Sequence, residues 1–184
     1  MARPAQARVD LEALRHNLGV AQACAPDSRN VAVVKANAYG HGALPVAQAL
    51  EPVAQALGVA CLEEALALRE GGITAPILLL EGPFEEAEVG VAAAENLWLM
   101  LENAAQIQWL LHAGITNPVR AWVKLDTGMH RLGLPPQQAG SAYQRLAASD
   151  NVADVVMATH LACADGPERS ETAQQLAVFD HACE

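Results

Sequence analysis

Six short apolar runs constrain the fold of this chain more than any other feature of its sequence. They begin at Val31, Leu57, Ile77, Leu97, Ala121 and Val155, so that successive runs start 20 to 34 residues apart. Each interval has room for one strand and one helix, and strands that are apolar throughout are typical of parallel sheets covered on both faces. The pattern therefore predicts an α/β chain of about six βα units.

Local signals place the boundaries of several elements. We expect the first strand to run from Val31 to Lys35, because this run is β-branched and almost wholly apolar. Asp10 is predicted to cap a helix that continues to about Cys24, and Asn103 to cap one that ends at His112. These helices would cover the sheet.

Two parallel folds are compatible with this alternation. A doubly wound open sheet needs about five or six strands, whereas a closed (β/α)8 barrel needs eight strands and about 250 residues, so the length of 184 residues favours the open sheet. However, no GxGxxG dinucleotide turn follows the first strand. The notable polar residues instead follow strand ends in units far apart along the chain, which is typical of a barrel. We therefore predict a TIM-type barrel, incomplete within residues 1–184.

Composition excludes several classes of function. The formal net charge of −10 disfavours nucleic acid as a partner, and no run of lysine or arginine offers an exception. No segment has the roughly 18 apolar residues of a membrane span, and the N-terminus lacks a signal peptide, so a cytoplasmic location is expected. The four cysteines form no CxxC pair, and His160 with Cys163 makes only a lone HxxC. No metal site is predicted.

The first strand delivers a candidate reactive lysine. Lys35 follows four apolar residues, and burial favours the neutral form of an amine, which Schiff-base chemistry requires. The alternative is a strand-end lysine whose ammonium group reaches water. Tyr39 in the following loop could donate its hydroxyl group to a phosphate, or it could simply pack, and Gly40 and Gly42 would let the backbone approach a ligand.

Three further residues lie at strand ends later in the chain. Lys124 interrupts an apolar strand, where an unpaired charge would be costly, so it either has a special role or forms a salt bridge with Asp126 or with a neighbouring strand. Arg131 lies in a glycine-bearing loop after that strand, where it could bind an anion or be an ordinary surface arginine. His160 ends the sixth strand and is either a rim residue or one that orients a catalytic partner.

Two long motifs resemble those of a known family. The segment VVKANAYGHG at 33–42 resembles the cofactor-lysine signature of the alanine racemases, and KLDTGMHRLG at 124–133 resembles their second landmark. Shorter matches at 63–66, 76–78 and 159–160 extend the similarity over essentially the whole chain. The resemblance implies a (β/α)8 barrel enzyme that uses pyridoxal 5′-phosphate to interconvert L- and D-alanine, a precursor of peptidoglycan.

The resemblance also implies roles for the residues of the first motif. Lys35 would match the lysine that forms the aldimine with the cofactor and then acts as one of two opposed acid/base groups at the α-carbon. Tyr39 would match the tyrosine that contacts the cofactor phosphate. Val33, with Leu80 after the third strand, would form apolar walls of the pocket.

The second motif would supply the opposite rim. Arg131 would correspond to the arginine near the phenolic oxygen of the cofactor and the substrate carboxylate. Lys124 would match a lysine that is carbamylated in several members, and the added carboxylate could pair with Arg131. His160 would match a histidine that hydrogen-bonds a second arginine, the one under the pyridine nitrogen.

Family members also have parts that these residues do not supply. They complete the barrel and add a C-terminal β-domain, whose tyrosine is the opposing base across a head-to-tail homodimer. A single base returns the proton mainly to the side it left, so we expect residues 1–184 alone to have little or no racemase activity. The alternative is a non-catalytic pyridoxal-phosphate-binding barrel protein of cofactor homeostasis, which the short chain favours and the two motifs disfavour.

Overall fold

The computed structural model describes residues 6–166 and 168–184. Its strands are β1 (Val31–Val33), β2 (Ala56–Val59), β3 (Ile77–Leu79), β4 (Leu97–Leu101), β5 (Val119–Leu125) and β6 (Val152–Thr159). Its helices are α1 (Leu11–Cys24), α2 (Lys35–Tyr39, a single turn that is left-handed from Ala36), α3 (Ala43–Leu50), α4 (Leu62–Glu70), α5 (Ala87–Ala94), α6 (Ala104–His112), α7 (Ala139–Ala147) and α8 (Glu171–Cys183), with a short 3-10 helix at Pro136–Gln138 before α7. The strands form one sheet in chain order, and the α/β prediction with six βα units is confirmed.

The chain divides into two compact units, of which the first comprises residues up to Val59 together with Glu63–Ile77. Here β1 and β2 pair in parallel, with Val31 opposite Ala56. The predicted cap of α1 is confirmed, because the Asp10 carboxylate accepts hydrogen bonds from two amides of the first turn. This unit carries the segment around Lys35.

The second unit comprises Ala60–Leu62 and Leu78–Glu184. Its strands β4, β5 and β6 pair in parallel, with Leu99 opposite Ala121 and Val123 opposite Met157. Leu97 and Leu99 are buried, whereas Trp98 between them is only half-buried and lies on the other face, because successive strand residues point to opposite sides. This paired core fixes the positions at which the loops after β5 and β6 begin.

The rings of Trp98 and Trp122 stack at a centroid distance of 6.1 Å on neighbouring strands. The Arg120 guanidinium lies 4.5 Å from the centre of the Trp98 ring and donates to the Asp154 carboxylate at 2.7 Å. A cation over an aromatic face and an ion pair both stabilise this cluster. It lies toward the strand starts of β5 and β6, away from the ends that carry the candidate residues.

Several boundaries differ from the prediction. β1 ends at Val33 rather than Lys35, because the backbone at Val34 leaves the extended region (φ −123°, ψ 18°). β5 and β6 begin two and three residues earlier than expected, at Val119 and Val152, because pairing with the adjacent strand extends them. No helix of the described part of the chain has the length and hydropathy needed to cross a membrane.

Candidate active site

A left-handed turn follows the first strand and carries the candidate lysine. Four consecutive residues, Ala36 to Tyr39, have φ between 51° and 55°. Residues with a side chain pay roughly 1–2 kcal/mol each for this conformation. Backbone strain of this kind persists only where the surroundings hold it, and it is concentrated at functional sites.

Two hydrogen bonds hold the beginning of this turn. The Ala36 amide donates to Glu64 Oε1 of α4 at 2.7 Å, and the Ala38 amide donates to the Val34 carbonyl at 2.8 Å. The Glu64 carboxylate therefore binds the peptide group that directly follows Lys35. A charged acceptor makes this a stronger bond than one between neutral groups.

Asn37 holds the other end of the turn. Its backbone carbonyl accepts from the amides of Gly40 and Gly42 at 3.1 and 2.9 Å, and its side-chain oxygen accepts from the Ala43 amide at 2.8 Å. The last of these bonds satisfies an amide at the start of α3. Gly40 and Gly42 have φ of 85° and 93°, so both take backbone conformations that favour glycine.

The turn leaves two reactive groups accessible. Lys35 is half-buried, Tyr39 is 62% exposed and Val33, on the last strand position, is 39% exposed. An amine and a phenol are thus presented from one turn of the first unit.

Lys124 forms a buried ion pair in the second unit. Its Nζ donates to Glu102 Oε1 at 2.9 Å, and the two side chains are 9% and 4% exposed. Of the two salt bridges considered from the sequence, the structure contains the one with a neighbouring strand. The Glu102 amide donates to Gln106 Oε1 at 2.7 Å, and Gln106 Nε2 donates to the carbonyls of Glu81 and Pro83. The buried pair therefore belongs to a network that joins the ends of β3, β4 and β5.

Asp126 organises the loop that carries Arg131. Its Oδ1 accepts from the amides of Gly128 and His130 at 3.1 and 2.9 Å, and its Oδ2 contacts His130 Nδ1 at 3.0 Å. Gly133 closes the loop with φ of 131°, where a Cβ atom would lie 2.7 Å from the Asp126 amide nitrogen. Arg131 is exposed. Among the residues that the structure describes, none forms an ion pair with it.

Gln175 of α8 anchors the ends of β5 and β6. It is 3% exposed, and its Nε2 donates to the His160 carbonyl at 2.9 Å and to Thr127 Oγ1 at 3.2 Å, while its Oε1 accepts from the Ala162 amide at 2.8 Å. Both the nitrogen and the oxygen of this buried amide are therefore hydrogen-bonded. The His160 side chain is exposed at the rim.

The candidate residues divide between the two units. Val33, Lys35 and Tyr39 lie in the first unit, and Leu80, Lys124, Arg131 and His160 lie in the second, where Leu80 is half-buried just after β3.

The side chains that hold these loops by hydrogen bonds were not identified from the sequence. They are Glu64, Asn37, Glu102, Gln106 and Gln175. Asn37 offered a signal, because asparagine tolerates left-handed backbone, whereas the others depend on long-range contacts.

The hydrogen bonds to Asp126 make the stability of this loop depend on pH. Burial raises the pKa of the Asp126 carboxyl, but the hydrogen bonds from His130 and Gly128 together lower it by more, so its pKa lies below the ordinary value of 3.8. The hydrogen bonds to the ionised carboxylate therefore stabilise the fold fully above pH 3.8, and this stabilisation is lost as the pH falls through the lower folded-state pKa.

We expect Asp126→Asn to destabilise the protein by about 1 kcal/mol at pH 7, and the difference from wild type to shrink as the pH is lowered below 3.8. Urea unfolding at a series of pH values measures both effects. Asp150→Asn, at an exposed position, is the matched control and should change stability little at any pH. Equal effects of the two substitutions at pH 7 would contradict the role of Asp126.

Comparisons with known proteins place the chain in a family. A family model described as "Alanine racemase, N-terminal domain" matches residues 9–184. An alanine racemase from Thioalkalivibrio sulfidiphilus is 50% identical over 184 residues, and a catabolic alanine racemase from Pseudomonas putida is 47% identical over 180 residues. These alignments cover 99% and 98% of this chain and 51% and 50% of the relatives. The chain therefore spans about half the length of the curated relatives it matches.

Solved structures agree with this assignment. The biosynthetic alanine racemase from Pseudomonas aeruginosa superposes with a TM-score of 0.91 at 44% identity, covering 96% of this chain and 49% of that one. A histidine racemase from Leuconostoc mesenteroides superposes with a TM-score of 0.78 at 28% identity, covering 92% and 46%. The predicted fold, an incomplete parallel (β/α)8 barrel, is confirmed. The chain belongs to the alanine racemase family, whose N-terminal domain it matches over residues 9–184.

Proposed function

We propose that this chain is the N-terminal barrel portion of a pyridoxal-phosphate-dependent alanine racemase in which Lys35 binds the cofactor covalently and acts as one of two acid/base groups. The observation that carries the proposal is the left-handed turn after β1, which presents the Lys35 amine and the Tyr39 phenol together. The family match favours this function over a cofactor-homeostasis barrel protein, because the relatives reported above are racemases.

The sequence contains only two lysines, and the fold makes them chemically different. Lys124 is enclosed and ion-paired to Glu102, whereas Lys35 is half-buried at the end of β1. An aldehyde needs an accessible amine that can lose its proton. Lys35 is therefore the side chain of this chain that fits the carbonyl group of the cofactor.

The remaining candidate residues suit the other parts of the cofactor. Tyr39 would donate to the phosphate, and Arg131 would lie near the phenolic oxygen. His160 would support the edge of the pocket. Val33 and Leu80 would form its apolar walls. When bound, pyridoxal 5′-phosphate acts as an electron sink that makes the α-proton of an amino acid acidic. Lys35 Nζ would remove or return that proton from one face of the α-carbon.

We infer alanine as the substrate from the names of the alanine racemases reported above. The histidine racemase shares the fold at lower identity, so the fold alone does not select the side chain of the substrate. The proposal includes a cytoplasmic homodimer that supplies D-alanine for peptidoglycan, with the opposing base contributed by a C-terminal β-domain.

Reductive trapping tests the assignment of Lys35. After incubation of the purified protein with pyridoxal 5′-phosphate, borohydride should fix the cofactor on Lys35, because this is the accessible lysine, and peptide mass mapping locates the label. Lys124→Arg is the matched control and should be labelled like wild type. Lys35→Arg should not be labelled on a lysine, since arginine forms no stable bond of this kind. A label on Lys124, or undiminished labelling of Lys35→Arg, would contradict the proposal.

The single base assigned here predicts a partial reaction. We expect the purified 184-residue chain with cofactor to exchange the α-proton of one alanine enantiomer with deuterated water and to racemise neither enantiomer above the level of Lys35→Arg, because Lys35 serves one face only. Chiral chromatography and mass spectrometry of the recovered alanine measure the two processes. Rapid racemisation by this chain would overturn the prediction.

The carbamylation of Lys124 stays a prediction, and the ion pair sets a condition on it. Carbon dioxide adds to the free electron pair of an amine, whereas Lys124 Nζ donates to the Glu102 carboxylate at 2.9 Å, so the modification has to disrupt this ion pair. A carbamate would also place a second negative charge in the same buried space. Loss of the Glu102 charge should therefore make the modification easier.

We expect the NMR signal of a lysine carbamate formed from 13C-bicarbonate to be stronger in Glu102→Gln than in wild type. Lys124→Arg identifies the signal, because it removes the side chain that would be modified. A wild-type signal as strong as that of Glu102→Gln would show that the ion pair does not oppose carbamylation.

A further inference from the structure

The hydrogen bond between Glu64 and the Ala36 amide lies one peptide bond away from the candidate lysine. The peptide group that receives the bond links the carbonyl carbon of Lys35 to the nitrogen of Ala36, and this group is planar. Its nitrogen lies 2.7 Å from Glu64 Oε1, and Ala36 and Glu64 both belong to the first unit. Fixing this peptide plane fixes the backbone from which the Lys35 side chain extends.

Glu64 acts where the turn departs from ordinary backbone. Ala36 is the first of the four residues with positive φ, and it has a methyl group rather than the hydrogen of a glycine. Without an external partner, the Ala36 amide and its neighbours could relax toward a favourable right-handed conformation. The Asn37 side chain within the turn binds the Ala43 amide at the start of α3, whereas Glu64 binds the first residue of the turn from another helix.

We infer that Glu64 is a positioning residue for cofactor capture: it holds the left-handed turn so that Lys35 and Tyr39 are presented together before the cofactor arrives. The inference rests on the proposed function, since it assigns Glu64 a role in preparing the site of Lys35. Glu64 acts through the Ala36 amide and needs no contact with the cofactor or the substrate. Preorganisation of this kind increases affinity by reducing the ordering that binding requires.

Another explanation for an acid at this position must be separated from the proposal. Acidic residues in the first turn of a helix complement its exposed amides, and both Glu63 and Glu64 lie in the first turn of α4. Glu63 is exposed and carries the same charge. Glu63→Ala is therefore the matched control for the effect of helix charge.

The first measurement is the dissociation constant for pyridoxal 5′-phosphate, obtained by absorbance titration of the purified protein. Glu64→Ala should weaken binding about tenfold, the loss expected for a charge-assisted hydrogen bond. Glu64→Gln should lose less, because its amide oxygen can accept from the Ala36 amide, and Glu63→Ala should bind like wild type. Equal losses for Glu63→Ala and Glu64→Ala, or no loss for Glu64→Ala, would overturn the inference.

A double-mutant cycle with Ala36→Gly tests the mechanism. Glycine adopts positive φ at little cost, so the turn in this variant needs less support from Glu64. We expect Glu64→Ala to weaken cofactor binding by a smaller factor when residue 36 is glycine than when it is alanine. An unchanged factor would overturn the inference. If Glu64→Ala does not fold, Glu64→Gln is compared in the same two backgrounds.

Amide hydrogen exchange of the cofactor-free protein separates this inference from the proposed function. Glu64→Ala should accelerate exchange at Ala36 and Ala38, whereas Glu63→Ala should not. If wild type fails to capture the cofactor on Lys35, the proposed function fails, and unchanged amide exchange in Glu64→Ala would separately disprove the support of the turn. Faster exchange without weaker cofactor binding would show that the turn does not prepare the site, and would overturn the inference.

Discussion

The left-handed turn after β1 is the constraint around which the first unit is arranged. Four residues with side chains occupy a backbone region that costs roughly 1–2 kcal/mol for each of them. A chain accepts such a cost only when other contacts hold the conformation. Here the Glu64 carboxylate binds the Ala36 amide at the start of the turn, and the Asn37 side chain within it binds the Ala43 amide. The strain thus accompanies a turn that carries both the lysine and the tyrosine.

The same construction recurs along the chain. Glu64 of α4 binds the loop after β1, Gln106 of α6 binds the loop after β3, and Gln175 of α8 binds the loop after β5. In each case the helix that follows one strand sends a polar side chain to the loop that follows the preceding strand. Parallel pairing brings these features to the same end of the strands, so a helix can reach the neighbouring loop. Three of the loops that follow strands are thereby held by side chains from helices.

The sequence predicted the order of elements because apolar runs and helical spacing depend on local neighbours. The caps at Asp10 and Asn103 were correct for the same reason, since each capping side chain binds amides two or three residues away. The predicted end of β1 was wrong. Val33-Val34-Lys35 has the composition of a strand, but the turn that replaces its end is held by Glu64 of α4. A local pattern does not contain that contact.

For the candidate site, the sequence named residues but not the side chains that bind them. Motif similarity selected Lys35, Tyr39, Lys124 and Arg131, but it could not select the partner of Lys124. The carboxylate that binds Lys124 comes from Glu102, which lies 22 residues earlier, directly after the adjacent strand β4, and Gln175 binds Thr127 across 48 residues. Such partners are defined by strand register and helix packing, which hydropathy patterns do not determine.

The two lysines show how the fold separates residues of identical chemistry. Both follow apolar strand residues, and by composition either could be a buried, reactive amine. The Glu102 carboxylate, which directly follows the neighbouring strand β4, pairs with Lys124 in a buried position. The turn after β1 instead leaves the Lys35 side chain half-buried. Because Lys35 is not fully removed from water, it does not need a buried carboxylate to compensate its charge. The difference in burial between the two lysines therefore follows from the register of β4 with β5 and from the hydrogen bonds of one strained turn.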